Sequence, residues 1–187
     1  MPKNIILASA SPRRIELLKK IVGRFKVIPS RINEAEISAL SPRSFAIKAA
    51  AAKAEDIAAK HKNAIVIGAD TIVVLGNKII GKPKNKKDAV RILGSLAGKT
   101  HRVITGLAVI NTKTSIKRTH CEVTSVTMKK VKNKEIMEYV NSGRPLDKAG
   151  AYGIQEIEDV FIARIAGDYD NVVGLPVRAL KKLLRSF

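Results

Sequence analysis

The segment 64–74 constrains the fold more than any other part of the chain. It reads Ala-Ile-Val-Ile-Gly-Ala-Asp-Thr-Ile-Val-Val, the most apolar window of the sequence, and Asp70 is its one charged residue. Runs of β-branched residues on both sides of Asp70 predict two buried strands, at 64–69 and 71–75. An ionised carboxylate is costly to bury there unless it is paired, bound to a metal or open to a cleft.

Two interpretations of Asp70 follow from this position. In the simpler one, Asp70 is a turn residue between the two strands. In the other, rigid strands hold its carboxylate near cationic groups, which is the arrangement that a water-activating base or a metal ligand needs. Spacing alone leaves both open.

Helix and strand signals alternate along the rest of the chain. Ser11-Pro12 and Ser41-Pro42 each place a capping serine before a proline, the signature of a helix start. We expect helices from 12, from 42 to about 61, and at 86–96, 133–141 and 176–185, and strands at 4–8, 25–29, 78–80 (after a Gly76-Asn77 hairpin turn), 102–110, 119–128 and 160–165. The alternation has no strict β-α-β rhythm, so the sequence predicts an α/β fold with a mixed twisted sheet flanked by helices.

The chain length of 187 residues predicts a single domain that is large enough to bury a core. Stretches rich in Gly and Pro near 81–85 and 142–153 suit two lobes with a cleft between them. No apolar run approaches the roughly 18–20 residues that a membrane helix needs, so we expect no membrane partner. Cys121 is the only cysteine, which excludes an internal disulfide and a cysteine-based metal cage and predicts a cytoplasmic location.

The charge of the chain indicates a polyanionic partner. Lys and Arg number 35 against 16 Asp and Glu, a net charge of +19 that favours nucleic-acid binding as its simplest explanation. The basic residues are nevertheless spread along the whole chain, and four Phe, three Tyr and no Trp offer few stacking platforms for bases. The charge therefore predicts an anion without identifying it.

The junction 7–14, Leu-Ala-Ser-Ala-Ser-Pro-Arg-Arg, has the composition of an anion site. Free backbone N–H groups at a helix start attract anions, and Ser9 and Ser11 add hydroxyl donors. Arg13 and Arg14 in the first helical turn add forked cationic donors that suit phosphate. The alternative is an ordinary serine cap with solvated arginines.

Three further polar residues are candidates for a binding site. Lys53 lies on the alanine-rich stripe of the helix predicted from 42, on the face that should cover the sheet, unless it only extends past the edge of the core. Lys82 stands between Gly81 and Pro83, where a solvated loop lysine is the alternative. Gln155 follows a segment of small residues and offers both a donor and an acceptor to a base edge or a phosphate.

Taken together and in order, these segments resemble the Maf family of nucleoside-triphosphate pyrophosphatases over nearly the whole chain. The motifs that carry the resemblance are Leu-Ala-Ser-Ala-Ser-Pro-Arg-Arg (7–14), Gly-Ala-Asp-Thr (68–71), Gly-Lys-Pro (81–83), Gly-Lys-Thr-His-Arg-Val-Ile-Thr (98–105), Asp-Lys-Ala-Gly-Ala-Tyr-Gly-Ile-Gln (147–155) and Gly-Leu-Pro (174–176).

The resemblance implies a fold like that of inosine-triphosphate pyrophosphatases, with two lobes around a central cleft, in a chain that forms a homodimer. It implies that the triphosphate of the substrate is bound by Ser9, Arg13, Arg14, Lys53 and Lys82.

The same resemblance makes Asp70 the general base or a ligand of Mg²⁺ or Mn²⁺, with Glu34 as a second metal ligand. Arg13, Thr71 and Gln155 fall at positions linked to specificity. The pair Asp-Thr (70–71) together with Tyr-Gly-Ile-Gln (152–155) resembles the branch that acts on dTTP and UTP. The implied reaction is hydrolysis of the α–β phosphate bond to a nucleoside monophosphate and pyrophosphate. The alternatives are a basic nucleic-acid-binding module and a regulatory cell-division protein without catalysis.

Overall fold

A seven-stranded mixed sheet is the framework of the protein, for which a computed structural model describes residues 4–187. Its strands are β1 (Ile5–Leu7), β2 (Lys26–Val27), β3 (Ile65–Leu75), β4 (Lys78–Ile80), β5 (Thr100–Asn111), β6 (Ile116–Met128) and β7 (Ile162–Ala166). Their order is β2-β1-β3-β5-β6-β7, with β4 paired to β3. β1 is parallel to β2 and β3, whereas β3–β4 and β6–β7 are antiparallel, as a mixed sheet requires. The predicted α/β class is confirmed.

Seven α-helices accompany the sheet within the part of the chain that the structure describes. They are α1 (Pro12–Lys19), α2 (Pro42–Ala58), α3 (Lys86–Leu96), α4 (Asn133–Asn141), α5 (Ile154–Phe161), α6 (Tyr169–Val173) and α7 (Val177–Leu184), and 3-10 turns lie at Glu34–Glu36, Arg144–Asp147 and Ala149–Ala151. Ser41 caps α2 by accepting a hydrogen bond from the Ser44 amide, as its sequence signature predicts. Within residues 4–187, no helix combines the length and apolarity needed to cross a membrane.

Strand β3 corrects the prediction of two strands separated by a turn. It continues through Asp70 from Ile65 to Leu75, so the interpretation of Asp70 as a turn residue is wrong. Asp70 is 5% exposed and lies between the buried residues Ala69 and Ile72 on a strand with neighbours on both sides. The sheet therefore places one carboxylate in its interior.

Two glycines allow α2 to lie directly on the sheet. A Cβ atom at Gly68 of β3 would stand 2.2 Å from the Ala50 carbonyl oxygen, and one at Gly106 of β5 would stand 2.1 Å from the Ala46 carbonyl oxygen. Both alanines are fully buried. Because helix backbone meets strand backbone here, the side chains of α2 that flank this contact are held close to β3.

The chain forms two compact units. Among the described residues, the first comprises 4–71, 105–122 and 170–187, and the second comprises 72–104 and 123–169. In the first unit a core of small and β-branched residues lies between α2 and the strands; its members are Ile6, Ala8, Ala50, Ala54, Ile57, Ala64, Val66, Ala108 and Ile110. That all 187 residues act as one domain stays a prediction.

Most predicted elements are present, and the differences lie where local signals are weak. The helix from 42 ends at Ala58 rather than near 61, and β2 has two residues instead of five. Helix α5 was not predicted: it begins directly after Gly153, and its apolar face consists of three buried residues, Ile154, Ile157 and Phe161. A helix of eight residues in a glycine-rich context is too short for its helical spacing of apolar residues to be recognised.

Replacing Gly106 by Ala should destabilise the protein by about 3 kcal/mol, the upper part of the range for overpacking, because the new methyl group would meet the α2 backbone. The matched control is Gly94→Ala in α3, where a Cβ atom has nothing within 4 Å. That change should stabilise the protein by up to about 1 kcal/mol through helix propensity. Urea unfolding of both variants checks the pair, and equal midpoints would contradict the close approach of α2.

Candidate functional site

Two carboxylates and one ammonium group meet in the first unit. Lys53 Nζ lies 2.6 Å from Asp70 Oδ1 and 2.7 Å from Glu34 Oε1. The Lys53 and Asp70 side chains are 12% and 8% exposed, whereas Glu34 is 53% exposed. The group therefore has a buried end at Asp70 and an open end at Glu34.

The packing of α2 explains why this group forms. Asp70 follows Gly68 by two residues, so both project from the same face of β3, the face on which α2 lies. Lys53 stands between the buried Ala50 and Ala54 on α2, and its ammonium group reaches Asp70. The pairing offsets the free energy that is needed to bury the carboxylate.

A second cluster surrounds the Arg14 guanidinium in the same unit. Its Nη1 donates to Ser9 Oγ at 3.2 Å, its Nη2 to Thr71 Oγ1 at 3.1 Å and its Nε to the Gly174 carbonyl at 2.9 Å. Thr71 Oγ1 also lies 2.9 Å from Thr105 Oγ1. Three of the resemblance motifs, 7–14, 68–71 and 174–176, thus meet at one arginine.

Strand geometry places the two clusters side by side. β1 and β3 are parallel with Leu7 opposite Ile67, so Ser9 lies just beyond the end of β1 while Asp70 lies three residues farther along β3 than Ile67. Asp70 and Thr71 are consecutive on β3 and point to its opposite faces.

The charges of the two clusters act on each other. The pKa of Arg14 is lowered chiefly by burial, and the Arg13 charge lowers it further, while Asp70 and Glu34 act in the opposite sense. An arginine remains protonated under any such shift. Arg14 of the second cluster therefore interacts electrostatically with Asp70 and Glu34 of the first. The roles that the resemblance implies for these residues stay predictions.

The donor set at this site fits a hard divalent cation. Glu34 and Asp70 both reach one nitrogen atom, so their oxygens are no farther apart than the sum of the two distances to Lys53. Mg²⁺ in nucleotide sites is typically held by one or two carboxylates together with substrate phosphates. Among residues 4–187 no group of three His, Cys, Asp or Glu side chains is placed to hold a metal.

Lys82 and Gln155 belong to the second unit, where both are exposed. The segments that carry them are joined, because the Gly150 amide donates to the Gly81 carbonyl at 3.0 Å. Gly150 adopts a φ of +71°, and a Cβ there would stand 2.8 Å from Val73. Their roles in binding substrate stay predictions.

Sequence reasoning missed an ion network around the buried Lys148, which lies close to Gln155 in sequence. Lys148 is 6% exposed, and its ammonium lies 2.8 Å from Asp147 and 3.2 Å from Glu156, and also donates to the Arg144 carbonyl. Tyr139 donates to the other Glu156 oxygen at 2.6 Å. Burial, followed by this hydrogen bond, raises the pKa of Tyr139. The network fixes the first turn of α5. The Lys148–Glu156 ion pair could not be predicted, because the two residues have no characteristic spacing in the sequence.

Two other motif residues have a structural role in the second unit. His101 of the 98–105 motif and Tyr152 of the 147–155 motif share a hydrogen bond of 2.7 Å between Nε2 and the phenol oxygen. His101 is 1% exposed, and its Nδ1 has no hydrogen-bond partner among the described residues. Burial lowers the pKa of His101 to about 4. This pair belongs to the core.

Comparison with known proteins identifies the family. The profile of the family described as "Maf-like protein" matches residues 4–187, and the chain belongs to that family. A protein from Alkaliphilus metalliredigens named dTTP/UTP pyrophosphatase is 48% identical over 97% of this chain and 95% of its own. One from Carboxydothermus hydrogenoformans with the same name is 44% identical over 98% of each chain.

Solved structures share the fold at low identity. The Ham1 protein of Staphylococcus aureus superimposes with a TM-score of 0.54 at 14% identity, over 98% of this chain and 99% of its own. A HAM1 protein from Coxiella burnetii gives a TM-score of 0.53 at 14% identity over the same shares. This likeness supports the fold class that the sequence predicted.

The buried His101 predicts a defined pH dependence of stability. Its pKa is 6.5 ordinarily and about 4 in the folded protein, so the unfolded chain binds more protons than the folded protein between these values. By linkage, stability is lost as the pH falls through this window, by about 3 kcal/mol at its lower end.

A His101→Gln variant should lose about 3 kcal/mol less between pH 7 and pH 4 than the wild type. His61→Gln, which changes a partly exposed histidine after α2, is the control and should keep the wild-type profile. Urea unfolding across this pH range measures the difference. Parallel profiles for wild type and His101→Gln would show that His101 is not buried in its neutral form.

Proposed function

We propose that this protein is a nucleoside-triphosphate pyrophosphatase of the dTTP/UTP type. It hydrolyses the α–β phosphate bond of dTTP, UTP or modified pyrimidine triphosphates and releases a nucleoside monophosphate and pyrophosphate. The observation that carries the proposal is the buried Asp70 carboxylate, which is paired with Lys53 and interacts electrostatically with Arg14. The names of the full-length relatives, dTTP/UTP pyrophosphatases, support the substrate class.

The cationic residues bind the triphosphate. Arg13, Arg14 and Lys53, with Ser9 as a hydroxyl donor, neutralise and orient its oxygens, and Lys82 adds a further ammonium group. Arg14 is already fixed by its bonds to Ser9, Thr71 and the Gly174 carbonyl, so little conformational entropy is lost when it meets an anion.

Asp70 serves as the general base. Its carboxylate orients a water molecule and accepts one of its protons as the water oxygen attacks the α-phosphorus. The bond from that phosphorus to the bridging oxygen breaks, and pyrophosphate leaves with the electron pair. Lys53 and the arginines stabilise the negative charge that develops on the leaving group.

A bound Mg²⁺ or Mn²⁺ would be held by Glu34 and Asp70 and would polarise the phosphate oxygens and lower the pKa of a bound water molecule. Specificity is assigned to Arg13, Thr71 and Gln155. Thr71 is tied to the binding residues because its hydroxyl accepts from Arg14 and lies 2.9 Å from Thr105 Oγ1.

The whole chain is proposed to act as a single Maf-like domain with the nucleotide in a cleft between two lobes. The match of the family profile to residues 4–187 supports this extent. A homodimer and a cytoplasmic location are proposed from the resemblance alone.

The net charge of +19 favours one competing function, a basic nucleic-acid-binding module without catalysis. A regulatory cell-division protein without catalysis is the other alternative that the resemblance leaves. Both predict that no triphosphate is hydrolysed, and the first also predicts binding to DNA or RNA that weakens steeply with salt.

Asp70→Asn should lower kcat/KM for dTTP and UTP by about 10³-fold, the contribution expected of a general base, while the fold remains intact. Pyrophosphate release from canonical and modified triphosphates, with Mg²⁺ or Mn²⁺, is the measurement, and a thermal melt shows whether the variant folds.

Asp159→Asn provides the matched control, since it makes the same charge change at an exposed position of α5 and should leave turnover unchanged. Turnover of Asp70→Asn within a few-fold of wild type would reject Asp70 as the base. Absence of pyrophosphate release by the wild type from every triphosphate would reject the enzyme and favour the nucleic-acid module.

A further inference from the structure

The residues before α2 run back along that helix as a strap, defined here as residues 31–38. Glu34 lies in the middle of the strap and reaches Lys53 in the middle of α2. The first residue of the strap, Arg31, contacts the C-terminal part of α2, and its last residue, Ser38, contacts the N-terminal part of α2. The strap is therefore antiparallel to the helix, with the proposed site at its centre.

The first anchor of the strap is Asp56. Its Oδ2 accepts a hydrogen bond of 3.0 Å from the Arg31 amide, and its Oδ1 lies 2.5 Å from Lys60 Nζ. These two bonds, the one from Lys60 first, lower the pKa of Asp56. Asp56 stands three residues after Lys53 on α2, so the anchor lies about one helical turn from the Glu34–Lys53 pair.

The second anchor is Lys48. Its Nζ donates to the Ser38 carbonyl at 2.8 Å. Lys48 stands five residues before Lys53 on the same helix. The two anchors thus lie on either side of the Glu34–Lys53 pair, and each uses a backbone group of the strap rather than a side chain.

The strap has little burial of its own to hold it. Its residues are exposed or partly exposed, and its local order comes from Asn33, whose side chain accepts from the Ala35 amide and donates to Glu36. A segment with few buried apolar contacts depends on its polar contacts for a fixed position.

We propose that Asp56 and Lys48 are positioning residues: they hold the strap on α2 so that the Glu34 carboxylate stays at Lys53 beside Asp70. The proposal rests on the proposed function only for the role of Glu34 in turnover. In the alternative, Asp56 and Lys60 form only an exposed ion pair of a helix, and removing it has almost no effect on stability or turnover.

The backbone contact distinguishes these two roles of Asp56. Asp56→Ala removes the acceptor of the Arg31 amide and should lower kcat/KM by about tenfold, the effect of losing one hydrogen bond to a charged group. Asp56→Asn keeps an acceptor oxygen but loses the charge, and it should restore most of that activity. An Asp56→Asn variant as impaired as Asp56→Ala would show that charge and not positioning is responsible.

Glu55→Ala is the matched control. Glu55 is the neighbouring carboxylate of α2, pairs with Lys117 at 2.8 Å and has no bond to the strap, so its removal should leave kcat/KM unchanged. Lys48→Met tests the second anchor and should resemble Asp56→Ala. Equal losses in Glu55→Ala and Asp56→Ala would overturn the proposal.

A double-mutant cycle tests whether Asp56 acts through Glu34. In a Glu34→Gln background, Asp56→Ala should cost less than twofold, because the group that it positions is already gone. A full tenfold loss in that background would overturn the proposal.

Amide hydrogen exchange provides a readout that needs no activity. Amides of 31–38 should exchange about tenfold faster in Asp56→Ala than in wild type or Glu55→Ala, and the amides of β3 should be unchanged. If the wild type hydrolyses no triphosphate, the proposed function fails while this result still decides whether Asp56 anchors the strap. Unchanged exchange at 31–38 would overturn the anchor itself.

Discussion

The burial of one carboxylate, Asp70, in the middle of β3 is the constraint on which the site depends. Left unpaired, such a group costs several kcal/mol, and breaking its pair costs a comparable amount. Lys53 meets that requirement only because α2 lies close enough to the strand to deliver an ammonium group. The close approach in turn requires Gly68 and Gly106, whose missing side chains leave room for the backbone of α2. The two glycines of the sheet are thus required for the ion pair between Lys53 and Asp70.

Much of the fold was predictable because strong local signals mark it. The serine–proline pairs located the starts of α1 and α2, helical spacing located α3, and β-branched residues located the two halves of β3. Whether Asp70 lies in a turn or inside a strand was not predictable, since the apolar runs on both sides are compatible with either. The pairing of β3 with strands far away in sequence determines that Asp70 lies inside a strand. Local propensity does not predict that pairing.

The site was predictable as a set of residues more than as a set of contacts. Helical spacing predicted that Lys53 lies on the face of α2 that covers the sheet. The order of the motifs predicted that Ser9, Arg13 and Arg14 belong to the binding site. That Arg14 bonds to Thr71 and to the Gly174 carbonyl could not be read from the sequence, because it joins segments 57 and 160 residues apart. The hold of Asp56 on the strap is hidden for a further reason: its partner is a backbone amide, which every residue except proline possesses.

The arrangement of charges at the site argues for a small substrate over a nucleic acid. Lys53 contacts both Asp70 and Glu34, and the charges of these two carboxylates also act on Arg14, so part of the positive charge is offset within the site itself. A surface that binds the phosphates of a duplex gains affinity from each uncompensated cation and loses it with each carboxylate among them. A hydrolytic site needs both signs, because cations must bind the phosphates while an acceptor takes the proton of the attacking water. The carboxylates at Asp70 and Glu34 are therefore more informative about the ligand than the large positive charge of the chain as a whole.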